Sequence, residues 1–566
     1  MIAGLAALTV ANAGVLLASH AVLRRVGTGK TSLDVALFFL LRFIIISALV
    51  IAAGLSGMLT PWGLGIAGLA LLAALMFVGE HRALPKWRRP DLAPMQAIFL
   101  GAILLRLLLQ VWFLAPYAGD ALSYHLPKIA EWVRAGSFTR EHGADGRSTF
   151  PAGFELIEAW WVVFLHHDVL IEMAGVEFFA LALAASHALA VEMGLSRRAA
   201  FLGALAATCT PGMLLQATSC LNDGPVAGLL IATAALVTAR AHPAIVAIPV
   251  ALGLGVKPVF GYALPGIALL GWFWRREPPL PVARPKIALC FATLSLAVGS
   301  FWYARNTILF GNPVHPVTRA GFVTPEGEVI QRVGPDLRSL QEGMAALVDD
   351  AIYDRSAAWS AWMRMSSGWG PLVFACGIPA LLLALRAEAR WRRLGAAFLV
   401  SLAGIFLCVR TDPWFMRFAL FFSALPALAA ARLAEEMRPL RFVLGFCLAI
   451  QFVGSLVPGE WPIEQLSAFV HQPWRDRRFL QLVVDTPKDK AIGCLAPGGR
   501  RSYQLYGPDF STRVVTLRVK DADDLIETMN REGLRTLYAS HQTGVLLEAL
   551  RRKLVDRSIG SFYRLR

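Results

Sequence analysis

Fourteen apolar runs follow one another along this chain and leave it few ways to fold. They lie near residues 1–23, 33–55, 61–79, 95–115, 169–191, 199–217, 225–240, 243–256, 258–274, 287–304, 368–385, 394–409, 417–432 and 441–457. A helix rises about 1.5 Å per residue, so roughly 20 apolar residues cross a hydrocarbon core about 30 Å thick. Several runs are shorter, and about 12–14 spans are expected. Lipid offers no partner to a backbone N–H or C=O, so such runs become helices that satisfy themselves. With 56% hydrophobic and only 16% charged residues, the chain reads as an all-α polytopic membrane protein.

The charged residues orient it. The formal charge is +15, which in a soluble chain points to nucleic acid. Here the basic residues sit in short loops between apolar runs: Arg24, Arg25 and Lys30; Arg82, Lys86, Arg88 and Arg89; Arg197 and Arg198; Arg275, Arg276, Arg284 and Lys286; Arg386, Arg390, Arg392 and Arg393; Arg432, Arg438 and Arg441. Every second loop is basic, as the positive-inside rule expects of cytoplasmic loops. Nucleic acid is therefore not an expected partner; membrane lipid is. The alternate loops then face outward, including the long loops 116–168 and 305–367. This requires the Trp-rich segment Gly153 to Leu165 to be an interfacial or re-entrant helix rather than a span. The seven cysteines form no CxxC and no metal-ligand spacing, and read as small buried hydrophobes.

Composition divides the chain into a transmembrane module, 1–457, an interfacial linker helix flanked by tryptophans, 458–485, and a C-terminal extracytoplasmic unit, 486–566. In the tail, AIGCLA, TRVVTLRV, RTLYAS and SFYRLR alternate like strands, and DADDLIETMNREG and GVLLEALRRKL have helical period. Asp521 offers an N-cap and Gly533 a stop, so a small α/β domain is expected.

The unusual polar residues converge on the outward side. GDALSYHLPKIAEW, from Gly119, follows the fourth run directly and puts Asp120 where a helix leaves the bilayer. A charge costs roughly 2.5–3.5 kcal/mol at the centre of a span and less near the interface. The same loop adds Tyr124, His125 and Glu155. Asn222 and Asp223 lie in the turn CLNDG, Lys257 caps a helical hairpin, Arg305 and His315 lie in WYARNTILFGNPVHP, and Arg417 lies in PWFMRF. A carboxylate takes a proton from a hydroxyl, while Lys and Arg hold a phosphate and stabilise the charge as it leaves. Together they suit displacement of a lipid phosphate from a sugar carbon by a hydroxyl acceptor. Plainer readings stand beside these. Asp120 is also placed to N-cap a helix from Ala121. Asn222 and Asp223 suit a turn before Gly224 and Pro225, and Lys257 can snorkel. His125 and His315 read as hydrogen-bonding residues rather than metal ligands, and Glu155 and Arg417 as interface residues. No cofactor is expected, and nothing in the spacing supports a divalent metal. A transporter or flippase of lipid-linked sugars, or a non-catalytic envelope assembly subunit, is the competing class.

At these motifs the chain resembles the GT-C class of polytopic glycosyltransferases, in particular bacterial relatives of protein O-mannosyltransferases and lipid A aminoarabinose transferases, including the RgtA/B/C/D-like group. The pieces are GDALSYHLPKIAEWVRAGSF, TFPAGFELIEAWW, CLNDG, GLGVKP, WYARNTILFGNPVHP and PWFMRFALFFSALPAL, in that order. The resemblance implies a polyprenyl-phosphate-linked sugar donor, a glycan, lipid or protein acceptor, and inversion at the anomeric carbon. It implies a bacterial inner-membrane protein with its site and C-terminal domain on the periplasmic side. It assigns Asp120 as general base and Lys257 and Arg305 as donor-phosphate contacts. Gly119 and Ala121 flank Asp120, so the paired acids of some relatives are absent, and more than one span precedes the key loop.

Overall fold

The computed structural model describes residues 2–79, 92–139, 146–276, 278–318, 321–323, 329–331, 335–349, 368–409, 415–456, 491–495, 502–507, 509–539, 543–557 and 562–565. Each of the fourteen apolar runs falls on helix. The first four are α1 (Ile2–Val26), α2 (Thr31–Ser56), α3 (Pro61–Phe77) and α4 (Pro94–Phe113). In the first outer loop lie α5 (Leu126–Ala135) and α6 (Gly153–Val163). Then come α7 (Met173–Glu192), α8 (Arg197–Thr208), α9 (Pro211–Gln216), α10 (Asp223–Thr238), α11 (Pro243–Val256), α12 (Val259–Trp274) and α13 (Pro285–Phe310). The later helices are Gly370–Ala387, Ala389–Cys408, Met416–Glu436, whose first turns are 3-10, and Arg438–Gly454. Among the described residues, eight helices are long and apolar enough to cross a membrane. The run 199–217 is not one helix: Pro211 lacks an N–H donor and starts a new helix after Thr210. With 11 residues, α6 is about 16 Å long, roughly half a bilayer core, and does not span. The expected linker helix at 458–485 lies outside the described residues.

Small residues let the helices cross closely. A Cβ on Gly255 of α11 would lie 2.8 Å from the Cα of Gly299 in α13, and one on Gly153 would lie 2.8 Å from the backbone of Gly255. These contacts tie α6, α11 and α13 together with no room for a side chain. A buried ion pair adds a polar tie: Arg42 of α2 meets Glu177 of α7 at 2.7 Å and donates to Asn12 of α1 at 2.8 Å. Gly299→Val is expected to lower stability by about 1–3 kcal/mol. Gly101→Ala, on an open face of α4, should be neutral or stabilising by up to about 1 kcal/mol. Thermal unfolding in one detergent checks both.

After α13 a small antiparallel sheet forms from β1 (Val317–Thr318), β2 (Gly321–Val323) and β3 (Val329–Gln331). The tail builds a second sheet from β4 (Ala491–Leu495), β5 (Arg513–Leu517), β6 (Thr536–Ala539), β7 (Val555–Arg557) and β8 (Phe562–Leu565), in the order β5-β4-β6-β8-β7. The first three strands in that order are parallel and β8 runs against both its neighbours. The Asp521 carboxylate accepts from the N–H groups of Asp523 and Asp524 and starts the helix Ala522–Arg531. Gly533, at φ +66, follows its end. That helix and Gly544–Arg551 bury one sheet face through Leu525, Met529 and Leu546. The other face, Ile492, Cys494, Tyr538 and Phe562, closes on Leu505 of the 3-10 helix Ser502–Tyr506.

That 3-10 helix lies against the first outer loop. Tyr503 donates to Asp168 Oδ2 at 2.9 Å with both side chains buried, and the Tyr506 hydroxyl bonds Glu131 of α5. The C-terminal sheet therefore sits on the same side of the bilayer as loop 116–168. Tyr503→Phe leaves a buried carboxylate short of a donor, at about 1.5–3 kcal/mol. Amide exchange in residues 119–135 should speed up, as read by hydrogen–deuterium mass spectrometry.

Candidate functional site

Four helix ends and two loop turns meet at the mouth of the membrane module. The chain after α4 turns through a five-residue π-helix, Ala121–His125, into α5. Such wide turns recur at functional sites. Asp120 precedes it with helical angles, φ −63 and ψ −41, and caps nothing with its side chain, which removes the N-cap reading. Its carboxylate takes Arg417 Nη1 on Oδ2 at 2.9 Å and Arg147 Nη1 on Oδ1 at 3.3 Å. Arg417 Nε lies 3.5 Å from Asp223 Oδ2, and Asp223, the first residue of α10, pairs closely with Lys257. Lys257, Asp223, Arg417, Asp120 and Arg147 thus form a continuous line of three cations and two carboxylates. Asp223 is 2% exposed at the inner end, while Asp120 at 26% and Arg147 at 35% reach solvent.

Aromatic faces line this chain. Arg147 lies 4.3 Å from the Tyr124 ring, and Lys257 and Arg417 lie 4.7 and 5.1 Å from the Phe418 ring. Burial alone would raise the Asp120 pKa, but the guanidiniums of Arg417 and Arg147 outweigh it and hold the carboxyl below its ordinary range. Burial pushes the Tyr124 phenol well above its usual value, with Asp120 adding to the shift, so it stays protonated.

A second, dry tier supports the π-turn. Glu155 Oε1 of α6 meets His125 Nδ1 and Lys128 Nζ, each at 2.8 Å, and all three side chains are buried. Burial would raise the Glu155 pKa; Lys128 and His125 reverse that and bring it to about 2. Burial lowers the His125 pKa despite Glu155. The imidazole is therefore neutral at pH 7, with Nδ1–H donating to Glu155. One turn along α6, Glu158 is buried beside the Cys220 thiol. Burial and the Glu155 charge push its carboxyl well above the usual range.

The remaining expected residues hold backbone. Asn222 donates to the Val256 carbonyl at 3.4 Å, which fixes the end of α11 beside Lys257. The His315 ring stacks on Phe310 at 4.2 Å, and its carbonyl accepts from Asn306 at 3.4 Å. Arg305 holds loop backbone as well. It donates to the Thr139 carbonyl at 3.0 Å and to Asn306 Oδ1 at 3.3 Å. Asn306 in turn donates to the Thr149 carbonyl at 2.9 Å and so holds the turn Gly146–Thr149 that carries Arg147. Sequence reasoning missed Arg147, which in GADGRST looks like a solvated loop cation, and Glu158, which looks like part of an apolar helix. Arg410, Asp412 and Trp414 lie outside the described residues. Among the described residues, no three His, Cys, Asp or Glu side chains gather to hold a metal ion.

Glu155→Gln removes the charge that Lys128 is buried against, and is expected to cost about 3–5 kcal/mol. The pH response has a definite sign. The native pKa of His125 lies below its unfolded 6.5, so the unfolded chain binds more protons as pH falls and stability drops. Between about pH 7.5 and about pH 5.5, His125→Asn should lose less melting temperature than the wild type. Thermal unfolding across that range measures the difference.

No family model matches the chain, and no curated protein matches it. Solved structures do. ArnT from Cupriavidus metallidurans bound to undecaprenyl phosphate superposes with a TM-score of 0.54 at 12% identity, over 82% of this chain and 97% of that one. The same protein in the apo state gives 0.51 at 13% identity, over 78% and 92%. The likeness is one of fold: this chain has a GT-C-like architecture.

Proposed function

We propose that this protein transfers a sugar from a polyprenyl-phosphate donor to a hydroxyl acceptor, inverting the anomeric carbon, at the periplasmic face of a bacterial inner membrane. The observation that carries this reading is the line of charges from Lys257 to Arg147, with Asp120 at its open end. The undecaprenyl phosphate bound to a protein of the same fold supports the donor class. The alternation of basic loops supports the sidedness.

Three cations against two carboxylates leave one positive charge for a phosphodiester. The donor phosphate competes with Asp120 for Arg417 and Arg147, each of which offers a fork matched to either oxyanion. Lys257 and Arg417 then hold the phosphate. Losing those partners lets the Asp120 pKa rise toward the range in which a carboxylate works as a base. The acceptor oxygen attacks the anomeric carbon from the face opposite the phosphate, and Asp120 takes its proton. The bond from that carbon to the phosphate oxygen breaks, and its electron pair leaves with the lipid phosphate. The cations stabilise the second negative charge as it forms. Arg305 acts at one remove, through Asn306 and the turn that presents Arg147. The competing carboxyl, Asp223, is buried at the inner end of the row, whereas Asp120 lies at the open end that an acceptor reaches, so Asp120 is the base.

The test uses purified protein and labelled polyprenyl-phosphate sugar. Asp120→Asn keeps the shape and is expected to lower transfer by at least about 100-fold, the usual contribution of a general base. Arg417→Ala is expected to weaken donor binding as well as the rate. Transfer by Asp120→Asn at the wild-type rate would remove the base assignment. Movement of intact lipid between leaflets, with no sugar passed to any acceptor, would replace this reading with a transporter.

A further inference from the structure

A second polar cluster, which the proposed reaction does not use, lies inside the membrane module. Arg106 and Gln110 are one turn apart on the buried face of α4. Arg106 faces Glu172, the residue before α7, and each feels the charge of the other. Glu158 of α6 lies beside the Cys220 thiol, and Cys220 also feels Glu172. Gln110 Nε2 donates to the Thr218 carbonyl at 3.3 Å, two residues before Cys220. The 3-10 turn Asp168–Leu170 touches both α4 and α6. All of these polar side chains, from Arg106 to Cys220, are less than a tenth exposed. Arg106 lies seven residues before the end of α4, which puts it about 10 Å below the end that leads to Asp120.

The cluster is short of partners. Arg106 reaches the Ser455 carbonyl through Nη2, at 3.4 Å. Among the described residues, its Nε and Nη1, both Glu172 oxygens, Gln110 Oε1 and Thr218 Oγ1 have no hydrogen-bond partner. Both Glu158 oxygens lack one too, apart from the thiol beside them. A buried polar group left bare keeps its full desolvation penalty, and a charge in a span costs more still. A guanidinium and a carboxyl that face each other without touching leave room between them. The atoms in want of partners are six oxygens and two nitrogens, so whatever binds here must both donate and accept. Two carboxyls oppose an anion, and the Arg106 guanidinium opposes a metal cation. Water meets every condition: it is neutral, it donates and accepts, and when buried it makes about three hydrogen bonds to groups of this kind.

We propose that a cluster of bound water is held among Arg106, Gln110, Glu158, Glu172 and Thr218, where it bridges Arg106 to Glu172 and hydrates Glu158. It begins one turn of α6 beyond the dry Glu155 tier. It allows α4, which exposes Leu104, Leu105, Leu108 and Leu109 on its outer faces, to carry a charge on its inner face. The site stands whether or not a sugar is transferred.

X-ray radiolysis of the full-length protein in detergent tests this, because hydroxyl radicals formed from bound water oxidise the side chains next to it. Mass spectrometry reads the rate at each sulfur. Cys220 and Cys494 are buried alike, but Cys494 packs among apolar side chains of the C-terminal sheet. Cys220 should be oxidised several-fold faster than Cys494. A radical scavenger in the bulk solvent should protect the exposed Met437 and leave Cys220 unprotected. The double variant Arg106→Met, Glu172→Met removes the pair without stranding a charge, and its Cys220 rate should fall to that of Cys494. Equal rates at the two cysteines in the wild type overturn the proposal, and this comparison needs no variant. So does protection of Cys220 by the scavenger, which would trace its oxidation to bulk solvent. Oxidation of Cys220 at the wild-type rate in a double variant that keeps a cooperative thermal transition overturns it as well.

Discussion

Two carboxylates threaded among three cations at the edge of the membrane are the constraint around which the rest of this molecule is arranged. A lone ion there is costly; an alternating row is not, because each charge has an opposite neighbour. The row draws its members from separate elements. Asp120 comes from the chain after α4, Asp223 from the start of α10, Lys257 from the end of α11, Arg417 from the 3-10 turns before a late helix, and Arg147 from a loop turn. No local segment positions such a set. The helices must end at matched heights, and the close crossings at Gly153, Gly255 and Gly299 set those heights for α6, α11 and α13.

The loop that bears Asp120 is held from both sides. Eight of the ten residues of α5 are buried, among them Lys128 and Glu131, although its sequence is that of a helix with one wet face. On the membrane side Lys128 finds Glu155. On the other side Glu131 finds Arg134 and Tyr506, so the covering surface is the C-terminal sheet. That sheet has α-helices on one face only; the 3-10 helix Ser502–Tyr506 closes the other through Leu505 and meets the loop through Tyr503 and Tyr506. A π-turn and a ten-residue helix are too short to hold a shape alone. Burial between two rigid bodies supplies the stiffness, and it also keeps water from the His125–Glu155–Lys128 trio.

Much of this was readable from residue order, for a physical reason. Hydrophobic length shows where helices lie, and acids or lysines at helix ends stand out because lipid is so unforgiving of them. Asp120, Asp223, Lys257 and Arg417 were visible on that ground, and the structure joins them. Arg147 was invisible because a basic residue in a polar loop has no local signature; only its partner, Asp120, marks it. Glu158 and the Arg42–Glu177 pair were hidden for the opposite reason. Each sits inside an apolar run whose average is unchanged by one charge, and the pairing spans residues far apart in sequence. WYARN drew the eye to Arg305, whereas its neighbour carries the bond to the Arg147 turn. Asn306 is the buried neighbour that holds the turn, and Arg305 braces it. The break between α8 and α9 was carried by Pro211 within a run whose hydrophobicity is otherwise continuous.

The near-balance of the charge row bears on how such a site works through repeated turnover. A cluster of bare cations would bind a lipid phosphate tightly before and after reaction alike, and tight binding of both slows release of the second. In the proposed cycle Asp120 returns to Arg147 and Arg417 once it has given up its proton, and so competes with the product phosphate for the same forks. The carboxylate then acts twice: as a base while the donor holds its cations, and as a displacing anion when the donor has gone. The residues needed for both acts are the same, which is why an acid with a depressed resting pKa is compatible with base catalysis here. Its basicity belongs to the occupied site, and the resting ion pairs set the affinity against which the substrate must compete.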